Sequence, residues 1–127
     1  MVVRVILDTN FLVYCAEQKI DYAVDIQNLI NEGYELITAP QVVEELKKIY
    51  TTSKKFSDRS AAFLALKLLE KNNVKIVASE GKYADDAIFN LVRVGSVVAT
   101  IDLELRKRLE KRARVIVVKG HKKLSFE

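Results

Sequence analysis

The sequence predicts a three-layer α/β/α domain built on a parallel sheet of about five strands. Short apolar runs alternate with amphipathic stretches along the whole chain. The apolar runs are continuous rather than alternating, which is the pattern of strands covered on both faces. No low-complexity segment, long linker or internal repeat interrupts the series. A length of 127 residues, half of them hydrophobic, suits one domain over residues 1–127 with a sizeable core.

The elements follow in order. Val3–Leu7 reads as the first strand, Phe11–Glu17 as a helix, and Tyr22–Asn31 as a second helix stopped by Gly33. Glu35–Thr38 is the second strand. Pro40 opens the next helix, which runs to about Tyr50, because a first-turn residue has no intrahelical use for an N–H. Thr51–Phe56 is polar and reads as a mobile loop. Ser57 is placed to cap a long Ala- and Leu-rich helix reaching about Lys71. Val74–Ala78 is the third strand, Ser79–Lys82 a loop, and Tyr83–Val94 a helix stopped by Gly95. Ser96–Ala99 is the fourth strand, Leu103–Arg112 a helix and Val115–Val118 the fifth strand, followed by a basic tail.

Composition narrows the chemistry. The single cysteine, Cys15, lies in an apolar stretch and reads as a core thiol; an internal disulfide and a thiolate zinc cluster are both excluded. The single histidine, His121, lies among lysines and reads as solvated. No run is long enough to span a membrane, and the apolar start runs straight into Asp8 without a small-residue cleavage site. A cytoplasmic protein is expected. The net charge of +4 is uneven. Between Glu104 and Lys123 nine Lys or Arg face two acids, a balance of +7, which leaves −3 on the rest of the chain. Such a segment suits a polyanion, or is simply a solvated helix face and tail.

In open parallel sheets ligands bind beyond the carboxyl ends of the strands. Those positions are acidic here. Asp8 follows the first strand and Asp102 the fourth. Glu44 and Glu45 lie in the helix after the second strand, and Asp85 and Asp86 open the helix after the third. Taken singly each has a plainer reading: helix caps for Asp8 and Asp102, a favourable helix dipole for Asp85 and Asp86, ordinary surface acids for Glu44 and Glu45. Together they are like charges gathered at one sheet edge, an arrangement that needs a cation. Helix geometry separates the alternatives. Glu45 lies along the stripe of Val42, Leu46 and Ile49, with Glu44 about 100° away. Asp85 lies at the edge of the face formed by Ala84, Ala87, Ile88, Leu91 and Val92, with Asp86 nearly opposite. The expected site is Asp8, Glu45, Asp85 and Asp102, and Asp85 is the least fixed of the four. Oxygen-only ligands select Mg²⁺ or Mn²⁺, and a water bound to such a metal can attack a phosphodiester.

Four motifs in register give the site a family likeness. Val5-Ile6-Leu7-Asp8-Thr9-Asn10, Pro40-Gln41-Val42-Val43-Glu44-Glu45-Leu46, Tyr83-Ala84-Asp85-Asp86-Ala87-Ile88 and Ala99-Thr100-Ile101-Asp102 resemble the motifs of PIN-domain nucleases. The resemblance implies a PIN fold, a Mg²⁺ or Mn²⁺ site and RNA cleavage. It implies supporting roles for Asn10 and Thr100, which could otherwise be a turn residue and a cap. Two subgroups are similar: VapC-type toxins, held inactive by a small antitoxin, and PIN proteins of small-subunit ribosomal RNA processing. The Asp85-Asp86 pair and the basic stretch from Arg106 to Lys123 look closer to the second, whereas archaeal relatives of this shape are often labelled toxins. The toxin role is the primary expectation, and a homodimer fits a protein of this size. Ile101 and Leu103 flank Asp102 where many relatives carry polar or basic residues. That departure keeps open a non-catalytic RNA-binding module using Arg106, Lys107 and Lys111.

Overall fold

The computed structural model describes residues 2–127. The chain builds strands β1 (Val3–Leu7), β2 (Tyr34–Thr38), β3 (Lys75–Ile76), β4 (Val97–Ala99), β5 (Arg114–Lys119) and β6 (Lys123–Phe126). Between them lie helices α1 (Thr9–Gln18), α2 (Tyr22–Leu29), α3 (Pro40–Thr52), α4 (Phe56–Lys71), α5 (Ala84–Leu91) and α6 (Leu103–Leu109). The sheet order is β3-β2-β1-β4-β5-β6. The first five strands run parallel and β6 pairs antiparallel with β5. Helices flank the sheet, as the apolar runs require: Val5, Ile6, Leu7, Val97, Val98, Ala99 and Ile116 are all fully buried. Among the described residues no helix is long and apolar enough to cross a membrane.

The departures from the expected elements have local causes. Helix α1 begins two residues early because the Asp8 carboxylate accepts a hydrogen bond from Thr9 N at 2.9 Å, so Asn10 is helical and not a turn residue. The expected loop 51–56 shrinks to Ser53, Lys54 and Lys55, with Arg59 Nη1 donating to Ser53 O at 2.8 Å. Ser57 lies inside α4 and does not cap it; Lys55 holds the cap position without a side-chain bond. The third strand is shorter than expected: residues 75–76 pair with Ile37 and Thr38, and the chain leaves the sheet after Val77 N donates to Thr38 O at 2.8 Å.

Helix α5 ends at Leu91, three residues short of Val94. The Ser96 hydroxyl accepts from Arg93 N at 2.8 Å, and this local turn competes with further helix. Helix α6 ends at Leu109, and Lys111 adopts a left-handed backbone in the turn that follows. The tail is not loose. Gly120, at φ 63°, turns the chain so that Lys123–Phe126 adds a sixth strand and buries Leu124. Cys15 is buried in the core, as expected, and burial pushes its thiol up to about 12.

Candidate active site

The chain leaves β1 in one direction to build β2 and β3, then crosses back to build β4 and β5 on the other side. β1 and β4 are neighbours with opposite onward paths, and their carboxyl ends form the crevice where such sheets bind ligands. Register does the rest. Leu7 stands beside Ala99, so the residues that follow, Asp8 and Thr100, emerge together. Asp8 N donates to Ala99 O at 3.1 Å, and Thr38 Oγ1 donates to Leu7 O at 2.7 Å from the adjoining strand.

Asp8 is 4% exposed and Thr100 fully buried. The Thr100 hydroxyl donates to Asp8 Oδ2 at 2.7 Å and accepts from Asp102 N at 3.0 Å, so one side chain ties the two strand-end acids together. Asp102 Oδ1 accepts from Glu104 N at 2.9 Å and Leu105 N at 3.2 Å, capping α6. The capping reading is thus correct for both aspartates, and it does not exhaust them. Each cap uses Oδ1; Asp8 Oδ2 takes the Thr100 hydroxyl, and Asp102 Oδ2 has no protein partner among the described residues. Burial raises the Asp8 carboxyl to about 6; the hydrogen bonds from Thr100 and Thr9 oppose that rise, and the charges of Asp102 and Glu45 add to it. A buried carboxylate pressed by two others is a group that gains from a nearby cation.

Glu45 and Asp85 reach the same cavity from helices. Its volume is about 540 Å³, and its lining includes Asp8, Asn10, Glu45, Asp85 and Asp102. Glu45 is half-buried and its Oε2 accepts from Ala84 N at 3.4 Å, facing the otherwise uncapped start of α5; Glu44 is exposed and lies outside the cavity. The approach of α5 is fixed by its preceding loop. Gln41 Nε2 donates to Ser79 O and Gly81 O, both at 2.8 Å, and Ser79 Oγ donates to Ala87 O at 2.7 Å. Gly81 has φ 130°, and a Cβ there would stand 2.8 Å from Asp86 Cβ, so glycine is required. Asp85 lines the cavity and Asp86 does not. Arg108 Nη1 lies 3.0 Å from Asp86 Oδ1 and 3.6 Å from Asp85 Oδ2.

The structure therefore brings all four expected acids to one cavity and separates them from Glu44 and Asp86. It treats the basic candidates differently. Arg106 pairs with Glu127 on the side chain of the last residue, while Lys107 and Lys111 are exposed; none of the three lines the cavity. The sequence reading overlooked Arg108, whose place at the rim depends on α6 packing beside α5, and Gln41, whose role depends on a loop 38 to 40 residues away. It also overlooked Tyr14 and Glu17, which line the cavity beside Ile49 of the α3 stripe.

The donors suit a hard cation. All are oxygens, and Asn10 Oδ1 is buried without a hydrogen-bond partner. Among the described residues no three His, Cys, Asp or Glu side chains stand close enough to hold an ion by themselves.

Sheet order, switch-point acids and enclosing helices together define a class, and the chain belongs to the PIN-like domain family, whose pattern matches residues 5–121. It is 31% identical over 122 residues to Ribonuclease VapC4 of Methanocaldococcus jannaschii, covering 94% of this chain and 92% of that protein. Among solved structures it is similar to the PIN domain endonuclease Utp24, with 27% identity, a TM-score of 0.79, and coverage of 98% of this chain and 90% of that one. VapBC-1 from nontypeable Haemophilus influenzae shares 14% identity at a TM-score of 0.57, covering 87% of this chain and 96% of that one, a likeness of fold alone.

Proposed function

We propose that this protein is a Mg²⁺- or Mn²⁺-dependent endoribonuclease in which Asp8, Glu45, Asp85 and Asp102, together with bound waters, gather around one or two metal ions, with residues 1–127 as one PIN-like domain. The observation that carries the reading is the convergence of these four acids, from four separate segments, on a single cavity at the switch point of the sheet. The likeness to a ribonuclease and to an endonuclease supports RNA cleavage as the activity. A bound divalent ion would supply an activated water and charge stabilisation at the phosphodiester. The chain's own residues do the positioning. Thr100 orients Asp8 through its hydroxyl and fixes the backbone of Asp102. Asn10 offers its free Oδ1 to a bound water, and Glu45 stands beside Asp8 as a charge that favours cation over solvent.

The toxin component of a toxin–antitoxin system, acting on RNA in the cytoplasm and restrained by a small protein partner, is the role that the likeness to VapC4 favours. The Asp85-Asp86 pair and the basic stretch from Arg106 favour the alternative of ribosomal RNA processing. A homodimer is part of the proposal in either case.

The purified protein is expected to cleave RNA in Mn²⁺ and to stop in a chelator. Asp8→Asn is expected to lower cleavage by at least about a hundredfold, beyond the loss typical of residues that only orient a metal ligand. Equal cleavage by a rigorously purified Asp8→Asn protein would falsify the assignment. RNA binding without cleavage in any divalent metal would favour the non-catalytic binding module. Growth arrest on expression, relieved by a co-expressed small partner, separates the toxin role from RNA processing.

A further inference from the structure

The cationic residues with no ion-pair partner are not in the basic C-terminal segment alone. In that segment Arg106 pairs with Glu127, Arg108 with Asp85 and Asp86, and Arg114 with Glu32. Lys47, Lys48 and Lys82 have no ion-pair partner among the described residues, and all three line a second groove, of about 690 Å³. The groove also holds Tyr83, whose side chain sits at the start of α5 with 59% of its surface exposed. Lys82 Nζ lies 5.4 Å from the Tyr83 ring centroid. Two acids, Glu44 and Glu45, face the same groove against Lys47, Lys48 and Lys82, so its local balance stays positive by one charge. Glu45 lines both the groove and the acidic cavity, and Tyr83 immediately precedes Ala84 and Asp85 of the cavity wall. The two depressions thus adjoin, and one is negative where the other is positive.

We propose that this groove is the track for a single-stranded RNA segment flanking the scissile phosphate, with Tyr83 stacking on a base and Lys47, Lys48 and Lys82 holding phosphates. The inference rests on the reading of the acidic cavity as the cleavage centre. An exposed ring beside unpaired lysines is the pairing that single-stranded nucleic acid uses: the ring takes the face of an unstacked base, and the cations neutralise the backbone. A duplex keeps its bases stacked and offers no face to Tyr83. A negatively charged cavity repels a polyanion until a cation fills it, so strand capture needs positive charge close by but outside the metal site. The groove meets that requirement, and its position fixes the direction in which the strand leaves the cavity, along α3 and over the start of α5.

Binding is measured by fluorescence anisotropy of a labelled single-stranded oligouridine on the Asp8→Asn protein in chelator, which separates capture from cleavage. Tyr83→Ala is expected to weaken binding about tenfold and Tyr83→Phe to leave it unchanged, because the phenyl ring still stacks. Replacing Lys47, Lys48 and Lys82 together by Gln is expected to lower the slope of log affinity against log salt by about 2, from roughly 0.7 per phosphate contact. In the Asp8-containing enzyme the same changes raise KM more than they lower kcat. Wild-type affinity in both Tyr83→Ala and the triple-lysine variant overturns the proposal, as does duplex RNA binding as tightly as single-stranded. Variant-sensitive binding by a protein that cleaves nothing upholds the groove and defeats the nuclease reading; cleavage indifferent to both variants does the reverse.

Discussion

Asp8 and Asp102 enter the cavity from strand ends, whereas Glu45 and Asp85 enter it from helices, and the two pairs are held by different means. Strand register sets Asp8 beside Thr100, and the hydroxyl of the fully buried Thr100 then couples Asp8 to Asp102. The helical pair has looser ties. Glu45 has one long contact to Ala84 N, and Asp85 depends on a loop clamped by Gln41 and on the nearby Arg108. Both strand-end aspartates serve as helix caps as well, so the fold itself needs them where the proposed chemistry would use them. A sheet edge fixes a carboxylate through its backbone; a helix face fixes one only as well as the helix is docked.

The strongest test of this contrast is the cost of keeping Asp8 charged. Its carboxyl is raised from 3.8 to about 6, so the folded chain holds that proton more tightly than the unfolded chain. Ionisation therefore opposes folding: the penalty is absent below about pH 3.8, grows as pH rises, and is complete above about pH 6. Metal-free Asp8→Asn is expected to be more stable than wild type at neutral pH by up to about 3 kcal/mol, and the gap should close towards pH 4. Urea denaturation in chelator measures it. Mn²⁺ should narrow the gap by stabilising wild type alone.

Thr100→Val tests the hydroxyl that couples the strand-end pair. It removes a buried donor and acceptor without changing the volume much, and cleavage is expected to fall about 10- to 100-fold, with recovery in Thr100→Ser. Wild-type turnover by Thr100→Val would mean that register alone positions Asp8.

Gly81→Ala tests the helical pair instead. The added Cβ meets Asp86 and the φ of 130° is strained for alanine, so α5 must shift. A stability loss of about 1–3 kcal/mol is expected, together with a larger drop in cleavage than in RNA binding as Asp85 moves. Calorimetry and turnover measured side by side check both.

Arg108→Gln is expected to have the smallest effect. Its pairs with Asp85 and Asp86 are all about half exposed, so stability should change by less than about 1 kcal/mol. A tighter apparent affinity for Mn²⁺, from the freed Asp85, is the finer readout.

Much of this site was legible because parallel sheets place function after their strands. Asp8 and Asp102 follow from that rule, and Glu45 over Glu44 follows from helical periodicity, since the buried stripe of α3 carries Glu45 inward. Asp85 over Asp86 is the weaker inference; Asp85 lines the cavity and Asp86 does not, and the role of Asp85 as a ligand belongs to the proposal. The basic segment was legible only as composition. Which of its cations are already paired depends on Glu127, Asp86 and Glu32, between 21 and 82 residues away in sequence. The sixth strand was missed because Leu124-Ser125-Phe126 is too short to stand out without β5 beside it.

Local patterning by itself determined the alternation of strands and helices, the apolar sheet and the acids at its edge, because each depends on periodicities of a few residues. Only the tertiary structure decided the rest. The crossing of the chain between β3 and β4 set Asp8 against Thr100, and the packing of α5 and α6 placed Arg108 over Asp85 and Asp86. The docking of the 79–83 loop on Gln41 opened a positive groove beside a negative cavity. These are relations between residues far apart in the chain, and no local periodicity encodes them.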